Sequence, residues 1–98
     1  SRQWWIAFSL RRPKGTLVVD AGAAGTLLEQ GKGLLASGVQ EVRGRFEAGA
    51  FVTLKDGAGH ELARGVCNVS SSELSRVRGI VIHRDDLVLA RDYRVGRR

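Results

Sequence analysis

The sequence predicts a mainly β, α+β fold: a small pseudo-barrel of short strands with one or two short helices. Three observations carry that expectation. Apolar runs rich in Val, Ile, Leu and Phe are short, closely spaced and broken by polar or glycine residues. Thirteen glycines against one proline mark many tight turns rather than an unstructured chain. Residues 21–30 place Ala24, Leu27 and Leu28 at helical spacing, on one face.

Taken in order, residues 4–8 (Trp4, Trp5, Ile6, Ala7, Phe8) are bulky and β-prone and read as a first strand. Residues 11–15 form a turn punctuated by Pro13 and Gly15, and residues 16–19 a short buried strand. Asp20 suits an N-cap for the helix over 21–30, and Gly31 suits its C-terminal stop. Gly22 and Gly25 each weaken that helix by about 1 kcal/mol relative to Ala. Residues 31–38 make a glycine-rich loop that holds Leu34 and Leu35, for which core plugs are the other reading. Residues 39–46 read as a strand bent at Gly44, and residues 51–54 as another. Asp56-Gly57 is a hairpin signal answered by a return strand over 61–67. Ser70-x-x-Glu73 has the spacing of a capping box and would open a short helix through Val77. Residues 80–82 and 87–89 are two last short strands, separated by residues 83–86.

Ninety-eight residues give a single domain, 1–98, with no room for a two-domain enzyme and its cleft. With 27% charged residues and no apolar run near about 18, no membrane span is expected. One cysteine excludes an internal disulfide, and the opening residues lack a secretion-signal pattern, so a cytoplasmic location is expected.

The net charge of +6 is unevenly placed. Residues 1–15 carry +4 and residues 76–98 carry +4, whereas residues 16–75 carry −2. Thirteen of the sixteen bases are Arg, whose planar fork suits phosphate. A basic chain invites a nucleic-acid reading through counterion release, while terminal arginines also serve simply as solvated ends.

Motifs for catalysis are wanting. Residues 25–32 (GTLLEQGK) look like a phosphate-binding loop, but five residues separate the two glycines and Gly33 replaces the magnesium-holding hydroxyl. His60 and His83 have no metal-ligand partner at regular spacing. Cys67 ends a strand and reads as a small core residue, with a nucleophilic role beside His83 the weaker reading. Asp85 and Asp86, if in a strand, point to opposite faces. Asn68-Val69-Ser70 matches a glycosylation acceptor that a chain without a secretion signal would not use. No catalytic residue, no metal site and no cofactor is expected on this chain.

The run Asp20-x-Gly22-Ala23, Leu27-Leu28, Gly31-Lys32, Leu34-Leu35, Gly38-Val39, Val42, Gly44, Phe46, Gly49 resembles the PUA domain, a small RNA-binding pseudo-barrel of RNA-modifying enzymes. The match continues through Asp56-Gly57, Ala63-Arg64-Gly65 and Asn68-Val69-Ser70-Ser71, so it covers nearly the whole chain. The opening Trp5-Ile6-Ala7 and the closing residues 81–89 (VIHRDDLVL) are similar to the C-terminal PUA domain of the bacterial glutamate 5-kinase family. This chain departs from that family at Gly33, where Ser is common, at Ala36, where Pro is frequent, and at Ala50, where Asp is frequent. Similar kinases also carry an extra segment before the final strands. Here Gly79 runs straight into Ile80, so that segment is either deleted or missing at this junction.

The resemblance implies a fragment whose kinase domain is absent. The parent would phosphorylate the γ-carboxyl of L-glutamate with ATP and Mg, both held by the kinase domain, in proline biosynthesis. It also implies a homo-oligomeric parent, with the kinase domain as this domain's partner. On that reading the domain is a non-catalytic regulatory or structural appendage. The alternative is an autonomous RNA-binding module, for which the resemblance offers Lys32, Gly33, Leu34, Gly38, Arg43, Arg45 and Arg84 as contacts. Strand parity predicts that Arg43 and Arg45 face one way.

Overall fold

A computed structural model describes residues 12–90, so the expected strand at 4–8 lies outside the described residues. β-branched and aliphatic residues make β1 (Gly15–Val19), β4 (Ala50–Lys55) and β5 (Glu61–Cys67) the centre of a five-stranded sheet. Its order is β3-β1-β4-β5-β7, with β3 (Val39–Arg43) and β7 (Leu87–Leu89) at the edges. β1 pairs parallel with β4 and antiparallel with β3, and β4 and β5 form the hairpin that Asp56-Gly57 foretells. A second sheet joins β2 (Leu34–Leu35) antiparallel to β6 (Ile80–Ile82). Leu17, Val19, Leu27, Leu34, Leu54 and Ile82 bring both sheets and the helix onto one core. The architecture is the mainly β, α+β pseudo-barrel that the sequence predicts.

The helix keeps its expected ends. α1 (Ala21–Gly25) runs on into one wider π-type turn over Thr26–Gln30. The Asp20 carboxylate accepts a 2.7 Å hydrogen bond from the Ala23 nitrogen, as an N-cap should. Gly31 closes the helix at φ +63°. Leu27 is fully buried, and Ala24 and Leu28 pack against the core, so this face rather than helix propensity holds two glycines in place.

Three local expectations are corrected. Residues 71–76 are turns rather than a helix, for the Ser70 hydroxyl meets that of Ser72 instead of capping. Ser71 ties this turn to Phe46, its nitrogen bonding the Phe46 carbonyl and its hydroxyl accepting from the Phe46 nitrogen. Asp85 and Asp86 sit in a 3-10 turn (Arg84–Asp86), not in a strand. Leu34 belongs to a strand of the core and not to a loop.

The hairpin turn between β4 and β5 is organised by a side chain. Asp56 accepts from the nitrogens of Ala58 and His60, each at 2.9 Å, while Gly59 turns the chain at φ +92°. The His60 backbone hydrogen bond, foremost among these contacts, holds the Asp56 carboxyl below its usual pKa.

Candidate nucleic-acid interface

Seven residues carry the sequence's nucleic-acid reading, and the fold does not bring them onto one surface: Leu34 and Gly38 are buried, and Arg43 and Arg45 lie apart from the others. Lys32, Gly33 and Arg84 come together. The loop after the helix lies against the backbone between β6 and the 3-10 turn. A Cβ on Gly33 would collide with the Ile82 carbonyl oxygen and lie 3.0 Å from the Arg84 nitrogen. The absence of a side chain at this position therefore lets the loop settle directly on residues 82–84. Lys32, His83 and Arg84 are all exposed, so this junction carries two bases and an imidazole from separate strand ends.

Beside it lies a pocket of about 310 Å³ between the helix start and the loop. Its lining includes Asp20, Thr26, Gly33, Ser37 and Gly38, mostly small side chains that leave backbone groups accessible. Thr26 spends its hydroxyl on the Gly22 carbonyl at 3.0 Å. Gly38 is buried because the helix crosses it closely: a Cβ there would stand 2.6 Å from that of Ala23. Its carbonyl accepts a 2.9 Å bond from the Asp20 nitrogen. Gly38 thus sets the depth of the pocket from inside the fold. Asp20, Thr26 and Ser37 were not among the sequence candidates, although the small-residue run around Gly22 and Ala23 was a signal that the backbone is approached there.

Leu34 cannot contact a ligand through its side chain, which is 0% exposed and packed in the core. Arg43 and Arg45 do not share a face. β3 ends at Arg43, and Gly44 at φ +86° redirects the chain, so the parity argument stops there. Arg43 lines a cleft with Lys55 and Gly57, whereas Arg45 lines another with Phe46 and Ser71. Arg43 is also engaged: its Nε donates to Glu41 at 2.7 Å, a bond that holds the guanidinium proton more tightly. Neither arginine lines the pocket beside Gly33.

No group of His, Cys, Asp and Glu among the described residues is arranged to hold a metal ion. Cys67 is fully buried, and burial pushes its thiol pKa up, the opposite of what a nucleophile needs. No described helix is long and apolar enough to cross a membrane.

Comparison with known proteins fits this geometry. The PUA domain family model matches residues 15–91, a span that holds the seven β-strands found among the described residues. A glutamate 5-kinase from Citrifermentans bemidjiense is 43% identical over 104 aligned residues, covering 90% of this chain and 28% of that protein. One from Gloeobacter violaceus is 50% identical over 82 residues, covering 84% of this chain and 22% of its own length. The chain thus spans about a quarter of the curated relatives that it matches. A crystal structure of a PUA domain from Aeropyrum pernix, a tartrate complex, shares 33% identity at a TM-score of 0.64. That match covers 71% of this chain and 41% of the other. The archaeal box H/ACA sRNP Nop10–Cbf5 complex matches at a TM-score of 0.67 and 15% identity, over 76% of this chain and 23% of that one, a likeness of fold alone. The chain belongs to the PUA domain family, and the curated relatives named here are glutamate 5-kinases.

Proposed function

We propose that this chain serves as the non-catalytic PUA appendage of a glutamate 5-kinase. The observation that carries the reading is the 43% identity over nine-tenths of the chain to a glutamate 5-kinase more than three times as long. Cys67 is buried, and burial raises its thiol pKa, which supports reading it as a core residue rather than a nucleophile. ATP, Mg and glutamate would be held by the kinase part, which would transfer phosphate to the γ-carboxyl in proline synthesis. This domain would pack on that part, in a cytoplasmic homo-oligomer, and tune its assembly. The test is exchange: the matching segment of the Citrifermentans enzyme is replaced by these 98 residues. Glutamyl hydroxamate formation by the chimera is expected to keep its kcat, with oligomeric state or feedback shifted. A kcat lowered about a hundredfold, the scale of a lost catalytic group, would overturn the non-catalytic reading.

A second reading rests on the Lys32–Gly33–Arg84 junction beside the small-residue pocket. Exposed bases there would meet RNA phosphates while the pocket admits an unstacked base. Binding of a fluorescent transfer RNA, followed by anisotropy across salt, separates this from polycation attraction. The double variant Lys32→Ala/Arg84→Ala is expected to weaken binding about tenfold or more, each lost phosphate contact also flattening the salt slope. Arg43→Ala/Arg45→Ala is expected to change it less. Equal losses in both pairs would mean diffuse charge, not a site.

A further inference from the structure

The small-residue pocket holds a charge opposite in sign to the bases beside it. Asp20 lines it at the start of the helix, with Gly33, Leu35 and Ser37 around the same space of about 310 Å³. One carboxylate oxygen of Asp20, Oδ1, caps the helix through the Ala23 nitrogen at 2.7 Å. The other, Oδ2, takes no hydrogen bond among the described residues, and neither does the Ser37 hydroxyl. Leu35 is 50% exposed and gives the pocket an apolar lip. Lys32 and Arg84 stand outside the lining, the first adjoining Gly33 in sequence and the second pressed against it by its backbone. The region is graded: an acceptor-only group within, an apolar edge, and cations outside.

Resting on the nucleic-acid reading of this junction, we infer that the pocket is a guanine-selective site for a guanosine 5′-phosphate unit, its base on Asp20 and its phosphate on Lys32 and Arg84. A carboxylate offers acceptors only, so it selects a group that presents N–H donors. It also repels phosphate, which is thereby turned outward to the two cations. Among the four bases, guanine alone sets two donors side by side on its Watson–Crick edge, the ring N1–H and the exocyclic N2 amino group. These match the two oxygens of one carboxylate, Oδ1 keeping a second lone pair beside its helix-capping bond. Adenine and cytosine set a ring-nitrogen lone pair beside their amino group, and uracil flanks its one N–H with carbonyls. Each would turn a lone pair toward a carboxylate oxygen, which is how the site rejects them. The Ser37 hydroxyl is available to donate to the guanine O6, and Leu35 offers an apolar surface to the face of the base. The same unit occurs within RNA and as a free guanine nucleotide.

The test titrates the full 98-residue chain with GMP, IMP, AMP, CMP and UMP by NMR, and with labelled oligouridines carrying one central G, inosine or A by anisotropy. Inosine lacks only the N2 amino group, and G is expected to bind about tenfold more tightly, the scale of one hydrogen bond to a charged group. Asp20→Asn keeps a helix cap, so thermal melts are expected to change little. It is expected to weaken G about tenfold and to abolish the advantage over inosine. Lys32→Ala/Arg84→Ala is expected to weaken all bases alike, with the preference for G intact. A preference among the free nucleotides supports the site with a nucleotide as its occupant, and a preference among the RNAs alone supports it with a base of RNA. Equal binding of G, inosine and A that still depends on Lys32 and Arg84 overturns the guanine site and leaves the phosphate reading standing. A preference for G that survives Asp20→Asn overturns the assignment to Asp20. Binding of no nucleotide and no RNA overturns both readings.

Discussion

Leu34→Ala lowers the stability of the domain by about 2–5 kcal/mol, the range for truncating a buried leucine. The side chain is wholly enclosed, and its strand joins the two-stranded sheet to the core through Ile82. Chemical denaturation of wild type and variant measures the loss. The result also decides what the leucine does. Where the variant is still folded, its RNA affinity is expected to stay within about twofold of wild type, since surface phosphate contacts and not a core methyl group would set that affinity. A stable variant with lost RNA binding would instead make Leu34 a contact residue and sink the structural assignment.

Gly65→Ala destabilises by about 1–3 kcal/mol, as overfilling a packed interior does. Gly65 lies buried on the inner strand β5, opposite Val52 on one side and Leu87 on the other. A Cβ there would stand 2.7 Å from the Asp86 carbonyl oxygen and 2.9 Å from Cγ2 of Ile82. The backbone atom cannot swing aside as a side chain would, so the 3-10 turn preceding β7 must shift. Arg84 belongs to that turn. Thermal melts are expected to report the loss of stability, and the anisotropy assay a weaker response to Lys32→Ala/Arg84→Ala in this background. An unchanged melting midpoint would contradict the tight contact between β5 and the turn.

Local chemistry made most strands and the helix readable. Asp20 and Gly31 act within a few residues of themselves, so their capping roles are visible without knowledge of the rest of the chain. The hairpin between β4 and β5 is legible for the same reason, although Asp56 works through its carboxylate rather than by joining a two-residue turn. What distance decides was not legible. Leu34 reads from the sequence either as a loop contact or as a core plug, because its partner strand lies far along the chain, and the Leu34–Ile82 pairing decides for the core. Ser70 and Glu73 have capping-box spacing, but a six-residue turn cannot offset helix nucleation, and Ser71 is held by Phe46 instead.

The candidate site divides along the same line. Lys32 and Arg84 are distant in sequence and are joined by the close approach of Gly33 to residues 82–84. The resemblance offers both residues, but their juxtaposition is a product of the fold. Arg43 and Arg45 failed as a pair because parity holds only within a strand, and Gly44 ends it. A Cβ at position 33 would meet the Ile82 carbonyl oxygen, so only glycine lets the loop sit this close to the 82–84 backbone.

The pairing of β1 with β4, and of β2 with β6, has a consequence for how the chain assembles. Thr16 finds its parallel partner at Thr53, and Leu34 its antiparallel partner at Ile82. Among the described strands, only β4 and β5 are neighbours in sequence that also pair. Loop-closure entropy must therefore be met before most of the core can form, which places folding in the slow, non-local regime of about milliseconds to seconds. On a ribosome, the first half of the chain emerges with β1 and β2 still lacking β4 and β6. Leu34 gains its strand partner only once β6 has been made, so this part of the core closes late.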